Sequence, residues 1–572
     1  MKLHSSSLGL VAGAWSALTL VAQAQTALFD RHGDGAGDQF GWALAFVGDV
    51  DADGVEDFAA GAPFDDVAAS NAGMVRVYSG RTLGVLYTWR GNAANDRFGY
   101  SLAGAGDLDG DGHDDVLIGA PQSLFSNPGG YAVVRSGANG TALRTVLGTP
   151  GQALGHSVAG GGFVDADGTP DLLIGAPYDD AGWTSRGRVL VVSGASGTTL
   201  RSHAGTVDYG TFGWSVEFLG DVDGDGRDDY AGGGPAAWNN WTHSYVRAFD
   251  GAFGIPLWDG GPTNLSDSLG WSLASIGDLN GDGVRDVLAG AMEDAGVGCG
   301  PCDGKGYVRA LDGATGATLY QVNGTNFYAG LGWDVVAIGD VNGNGYEDFA
   351  ASQPSTEGCG GNTMPVLVRE GLDGSAILDL PAVGGAGSVF GHALASGDAN
   401  GDGLRDLLVG APCESPNGNA SGAIHAYTVV RSVALYCQAE SNSLGCTPAM
   451  FGSGTPSASL AAVFSVGAAN VLNNKSGLLF YGFKPRQTPF QGGHMCIVAP
   501  TQRTPPQNSG GAAPPASDCS GAFSLDFNAR IQSGVDPLLV AGEEVFAQYW
   551  SRDPADASTT NLSGALAFFI AP

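Results

Sequence analysis

The sequence predicts an all-β chain: a seven-bladed β-propeller of four-stranded blades, the N-terminal strand closing the last blade, followed by a small β-sandwich-like domain. Three observations predict it. A Phe-Gly or Leu-Gly pair recurs at Phe40-Gly41, Phe98-Gly99, Leu154-Gly155, Phe212-Gly213, Leu269-Gly270, Leu331-Gly332 and Phe390-Gly391, at spacings of 58, 56, 58, 57, 62 and 59 residues. Each pair opens the same order of apolar run, acidic turn, apolar run, loop and two more short runs. Glycine supplies 95 of the 572 residues, and the Ala/Gly-rich stretches lack the 3.6-residue apolar spacing of amphipathic helices.

Before the repeats, "MKLHSSSLGLVAGAWSALTLVAQAQ" has Lys2, an apolar stretch from Leu8 to Val21, and a small-x-small site at Ala22-Gln23-Ala24. Residues 1–24 are therefore expected to be a signal peptide, which makes the chain secreted or exposed at the cell surface or envelope. No later apolar run reaches the ~18 residues of a membrane-spanning helix. A formal charge of −33 repels phosphate backbones and anionic lipid surfaces, and so disfavours nucleic acid and membrane surfaces as partners.

Residues 25–431 hold the repeats. In the first unit, "FGWALAFVGD", "FAAGAP", "GMVRVYSG" and "GVLYTWRG" are strand candidates, and "DVDADGVED" is the turn between the first two. A lone four-stranded meander leaves faces unburied, whereas blades around an axis cover one another. The last unit lacks a clear fourth strand, and "TALFDRHGDGAGDQFG", from Thr26, aligns with the end of a blade. Supplying that strand from the N-terminus removes the open edge.

The Phe-Gly openings, the D-x-D-x-D-G-x-x-D turns and the Gly-Ala-Pro endings, as at Gly61-Ala62-Pro63, Gly119-Ala120-Pro121, Gly175-Ala176-Pro177 and Gly410-Ala411-Pro412, resemble the FG-GAP repeats of the integrin alpha N-terminal propeller. The resemblance covers about 400 residues. Departures at Gly233-Gly234-Pro235, Gly290-Ala291-Met292 and Ser352-Gln353-Pro354 leave the strand ends there open to question.

Calcium takes about six to eight oxygen ligands, and alternating carboxylates in a glycine-bent turn can converge on one ion. The resemblance implies side-chain ligands at turn positions 1, 3, 5 and 9 and a carbonyl at position 7. It assigns Asp49, Asp51, Asp53, Val55 and Asp57; Asp107, Asp109, Asp111, His113 and Asp115; and Asp221, Asp223, Asp225, Arg227 and Asp229. It further assigns Asp278, Asn280, Asp282, Val284 and Asp286; Asp340, Asn342, Asn344, Tyr346 and Asp348; and Asp398, Asn400, Asp402, Leu404 and Asp406. The turn in blade three has Phe163 at position 1 and is expected to hold no ion, so about six Ca2+ ions are expected. The sixth turn, with two carboxylates, should be the weakest of the six. An acidic turn closed by its own Asx hydrogen bonds is the metal-free alternative, but many close carboxylates repel one another. In this scheme Asp114 and the His113 imidazole are bystanders.

No catalytic residue is assigned. "GHSVA" lacks the closing glycine of a nucleophile elbow and stands where other repeats have "GYSLA" and "GWSLA", so Ser157 is expected on a strand. There is no H-E-x-x-H motif, P-loop or zinc spacing. The resemblance implies that loops between second and third strands lie on the face away from the acidic turns, and there Trp183, Trp238 and Trp241 are candidates for binding a glycan or a protein, or for packing over blade edges. Asn240-Trp241-Thr242 and Asn264-Leu265-Ser266 are glycosylation sequons.

Residues 432–572 depart from the repeat. Their strand candidates are "LAAVFSV", "GLLFYGF", "HMCIVA", "AFSLDFNARI", "EVFAQYWSRD" and "ALAFFIA", and the region resembles a Cys-containing module that ends many exported bacterial proteins. Eight cysteines in an exported chain predict disulfides without fixing their pairing, including a local or inter-loop role for the "CGPC" at Cys299 to Cys302. The expected function is calcium-binding recognition or adhesion toward an extracellular protein or glycan, without catalysis and as a monomer. An exported carbohydrate-active enzyme and a structural envelope component are the alternatives.

Overall fold

A computed structural model describes residues 26–570 apart from 123–128, 180–183, 237–243, 262–266, 293–303, 343, 356–358, 360–363, 386, 402–404, 430–433, 438, 455, 460–462, 491–492, 514–516 and 541–542. Seven separate four-stranded antiparallel sheets form the propeller. Blade one is Ala43–Gly48, Asp57–Ala62, Met74–Tyr78 and Val85–Arg90, and blades two to six repeat its order from Ser101, Val158, Ser215, Leu269 and Val335. Blade seven is Leu394–Gly397, Asp406–Ala411 and Ala423–Thr428, and the strand Thr26–His32 pairs antiparallel with the last of these. The ring closes through the N-terminal strand as the sequence predicts.

The first strand of each blade packs against the first strands of both neighbouring blades, so these strands line the central channel. Small residues permit that convergence: a Cβ on Gly160 would lie 2.4 Å from the Gly104 carbonyl oxygen of the preceding blade. The second strand has sheet partners on both sides and neighbouring blades over both faces. In all seven blades every residue of it is buried.

The repeat signature is a description of the seam between blades. Phe40, Phe98, Phe212, Phe390, Leu154, Leu269 and Leu331 are at most 1% exposed and fill the gap between successive sheets. Six of the seven glycines that follow them lie against a glycine of the preceding blade's second strand, and Gly391 lies against Ser352: a Cβ on Gly61 would sit 2.0 Å from the Gly99 oxygen. Backbone this close admits only hydrogen at that position. The departures prove mild at Gly233 and Gly290, which keep both the glycine and its contact. At Ser352 the second strand is shortened to Asp348–Ala351, but Gly332 N still donates to the Ser352 oxygen at 3.0 Å.

In the C-terminal region one sheet runs Ala434–Tyr436, Thr560–Phe569, Glu544–Arg552, Ser476–Gly482 and Gln502–Arg503 in spatial order. A second sheet of Ala449–Ser453, Ser465–Val471 and Gly521–Asp526 faces it across a core that includes Val466, Phe523, Leu479, Tyr549 and Phe568. Two expectations are corrected. Of "LAAVFSV", Leu460 to Ala462 lie outside the described residues and Val463 and Phe464 precede the strand, which begins at Ser465. "AFSLDFNARI" is a strand followed by the helix Phe527–Gln532, because Asp526 caps it by accepting from Ala529 N at 3.1 Å. Disulfides join Cys359 to Cys413, Cys437 to Cys496 and Cys446 to Cys519. Cys299 and Cys302 lie outside the described residues. Among the described residues, no helix is long and apolar enough to cross a membrane.

Candidate metal centres and the channel mouth

The acidic turns join the first and second strands of every blade and are shaped by their own side chains. In blade two the position-1 carboxylate of Asp107 accepts from the N–H groups of Gly110, Asp111 and Gly112 at 2.7, 3.1 and 2.9 Å. Asp221 and Asp278 accept the same three bonds in blades four and five. At position 5, Asp53, Asp111, Asp225, Asp282 and Asn344 each accept from the residue at position 7. These bonds curl the backbone around the carboxylates. Ligand atoms of Asp49, Asp51 and Asp53, of Asp107, Asp109 and Asp115, and of Asp221, Asp223 and Asp225 lie within 4.8 Å of one another.

Such groups suit a hard cation, since each carboxylate retains a lone pair beyond its backbone bonds. Burial and the charge of Asp111 raise the Asp109 carboxyl above its ordinary range, and burial and Asp225 do the same to Asp223. A divalent ion would relieve that repulsion. Asp402 and Leu404 of the seventh turn lie outside the described residues. Blade three has no position-1 carboxylate; Asp165 and Asp167 each receive only the N–H two residues on.

Position 9 has a structural task in every blade. Asp57, Asp115, Asp171, Asp229, Asp286, Asp348 and Asp406 are all fully buried. Asp57 accepts from Val50 N at 2.8 Å within the turn and from Gly80 N at 2.9 Å at the end of the third strand. Asp171 makes the same clasp in the third blade, to Val164 and Gly194, so the clasp does not depend on a complete turn. Burial pushes the carboxyls of Asp57, Asp115, Asp229 and Asp286 up to about 6, against the pull of these backbone bonds.

Acids outside the nine-residue turns join three of the sites. Asp250 brings a carboxylate within 4.8 Å of ligand atoms of Asp223 and Asp229. Asp312 accepts from Asn280 Nδ2 at 3.2 Å, and Glu370 accepts from Asn344 Nδ2. All three precede the glycine that bonds position 9, and the corresponding residues in blades one to three are Ser79, Ser136 and Ser193. A ranking by turn carboxylates alone leaves these three acids out of the count. The signal was legible as Asp-Gly or Glu-Gly after the third strand.

Positions 7 and 8 reach across the seam. Asp114 Oδ2 accepts from Asp49 N at 2.8 Å, and His113 Nδ1 donates to the Val50 carbonyl at 2.8 Å, so both side chains reach from their own turn to the neighbouring blade. Asp228, Glu347 and Glu56 repeat the tie to Phe163, Gly277 and Asp398 at 2.8, 2.7 and 3.2 Å.

At the opposite end of the first strands, the residue after each repeat glycine is aromatic. Trp42, Tyr100, His156, Trp214, Trp271, Trp333 and His392 form a closed collar around the channel, with neighbouring ring centroids 4.2 to 5.4 Å apart. Every member is partly exposed. Its hydrogen bonds run one way round: His156 to the Trp214 oxygen, Trp333 to the His392 oxygen, and His392 to the Trp42 oxygen. Deep placement in the channel mouth pushes both histidines down to about 4, so they are neutral near pH 7. Sequence reasoning passed over this collar, although the repeat position shows it. Trp183, Trp238 and Trp241, the residues favoured instead, lie outside the described residues, as do both sequons.

Below the collar the channel holds a cavity of about 330 Å3 lined by strand residues such as Ala45, Leu102, Gly160 and Glu217. Burial pushes Glu217 and Asp334 up to about 7. Each accepts a backbone N–H from the next blade, Glu217 from Ser275 at 3.4 Å and Asp334 from Leu394 at 2.7 Å. Ser157 is a seam residue as well, donating to the Gly213 oxygen at 2.9 Å.

The FG-GAP repeat model matches residues 40–78, 98–134 and 390–427, which fall in blades one, two and seven. Three of the seven blades carry FG-GAP repeats. The chain is 32% identical to integrin alpha-V of Gallus gallus across 209 residues, which is 33% of this chain and 19% of that protein. It is 37% identical to integrin alpha-PS2 of Drosophila melanogaster across 152 residues, 24% of this chain and 10% of that protein. It is 42% identical to integrin alpha-7 of Homo sapiens across 86 residues, 14% of this chain and 7% of that protein. The matches span a fifth or less of these relatives' length. The chain is integrin alpha-like in its repeats.

Proposed function

We propose that this FG-GAP propeller is a calcium-binding extracellular recognition or adhesion protein that engages a protein partner through its channel mouth and carries out no catalysis. The observation that carries the reading is the aromatic collar. Seven ring faces held around the channel form a rigid, partly exposed platform, and Glu217 and Asp334 in the blades below, raised to about 7, are only partly ionised near neutral pH. An inserted positively charged side chain would gain cation–π attraction, with neutral histidines in the collar and Arg97 as the cation beside Tyr100 and His156, and a sugar ring would gain stacking. The acidic turns at the other end supply rigidity: ions there would fasten the strand ends that aim the collar. Calcium at six of the turns, about six ions, is supported by the converging carboxylates of blades one, two and four and by the likeness to integrin alpha chains.

The test is a binding screen of extracellular proteins and glycans, with and without calcium, against the wild-type protein and Trp214→Ala/Trp271→Ala. The proposal expects a protein ligand lost in the double variant while its thermal melt stays cooperative. Ligands retained in full by the folded variant would overturn it.

A further inference from the structure

The larger C-terminal sheet is apolar on both faces. Leu479, Tyr481 and Tyr549 enter the core shared with the second sheet, and strand alternation turns Leu478, Phe480 and Trp550 to the other side. A hairpin, Pro485–Phe490 with Gly493–Ile497, covers part of that outer face and is tied down by the Cys437–Cys496 disulfide. The cover is incomplete. Between hairpin and sheet lies a cavity of about 370 Å3 lined by Leu478, Phe480, Phe490, Met495 and Trp550, with Arg503 on its wall. Phe490 is 41% exposed at the rim.

Arg503 is what gives this cavity a chemistry. Its strand pairs with Phe480 and Tyr481, which fixes the residue beside the opening. In a chain of net charge −33, arginines such as Arg76, Arg247 and Arg369 each lie against an aspartate. Arg503 is exposed, and among the described residues its guanidinium has neither a hydrogen bond nor an ion pair. An apolar hollow with one uncommitted guanidinium is complementary to an apolar anion. The guanidinium fork matches a carboxylate, and the volume, near the low end of the ~300–1,000 Å3 typical of ligand pockets, suits one short chain or ring.

We propose that this cavity binds a small carboxylic acid bearing an aliphatic chain or ring, the carboxylate paired with Arg503 and the apolar part against Phe480, Met495 and Trp550. The proposal is independent of the propeller's partner. Calorimetric titration of the full-length protein with octanoate, octanol and octylamine tests it. Octanoate should bind about ten-fold more tightly than octanol, the equivalent of one charge-assisted pair. Octylamine should bind no better than octanol. Arg503→Gln should reduce octanoate to the octanol level and leave octanol unchanged. Leu478→Trp should fill the cavity and abolish binding of both; if that variant fails to fold, the surface-exposed Arg503→Gln decides alone. No octanoate binding at millimolar concentration, equal binding of octylamine, or undiminished octanoate binding by Arg503→Gln would each overturn the proposal.

Discussion

Asp114 Oδ2 accepts the backbone N–H of Asp49 at 2.8 Å, so an acid in the turn of blade two holds the first residue of the turn in blade one. A seam tie of this kind predicts a mutational effect one blade away from the mutation. Asp114→Ala should lower stability by about 1–3 kcal/mol, the usual loss for a charged acceptor. It should also weaken cation binding in blade one more than in blade two, and Asp114→Asn should restore much of both. Calorimetric melting and calcium titration of the two variants check this; an effect confined to blade two would refute it.

Metal removal should destabilise the propeller. Elemental analysis of protein dialysed against buffered calcium is expected to find about six ions, and a chelator should lower the melting temperature, because a ligand bound only to the folded state stabilises it by mass action. Asp109→Ala should release one ion. Asp250→Asn, outside any nine-residue turn, should weaken one site without removing the Asp229 clasp. Unchanged calcium titration in Asp250→Asn would exclude its carboxylate from the site.

The closing blade should respond to pH. His425 on the third strand donates to Asp30 of the N-terminal strand and to Glu414, both at 2.8 Å. Burial alone would push His425 down, but the bonds to Glu414 and Asp30 outweigh it and raise it above its ordinary value. Because the folded state favours the protonated form, this contribution is fully present below the unfolded value near 6.5 and is lost as pH rises through the raised folded value. Each unit of such a shift is worth about 1.4 kcal/mol. Denaturant melts between pH 6 and pH 9 should show wild type losing more stability than His425→Gln; parallel curves would discount the contact.

Gly61→Ala should be severe despite adding one methyl group. The new Cβ would lie 2.0 Å from the Gly99 oxygen, and backbone on both sides of the seam would have to part. A loss of several kcal/mol or failure to fold is expected, since overpacking of ~1–3 kcal/mol assumes side chains that can yield. Soluble yield and melting temperature report it, and near-wild-type values for both would show that the seam can open.

The repeat period, the Phe-Gly pairs and the alternating acids made the blades legible, because each is a local pattern that recurs. Closure by Thr26–His32 was legible for the same reason, a blade ending found at the wrong end of the chain. What escaped were relationships between different repeats. Nothing local to "DLDGDGHDD" says that Asp114 serves Asp49, 65 residues earlier. The collar was visible as Trp, Tyr, His, Trp, Trp, Trp and His at one repeat position, but each copy alone looks like an ordinary strand residue. In the C-terminal region no repeat averages out the errors. Strand edges there slipped at Ser465, and the cap at Asp526 was hidden inside an apolar run.

The strand that closes the ring is made first and used last. Thr26 pairs with Thr428, so the partner of the opening strand is not synthesised until some 400 residues later. At ~5–20 residues per second this is a delay of roughly 20–80 s. During that interval the leading segment is a sticky, unmated edge that neighbouring nascent chains can capture. The charges that Asp30 and Arg31 place on its two faces therefore matter before the propeller exists, as protection for a protein still being made.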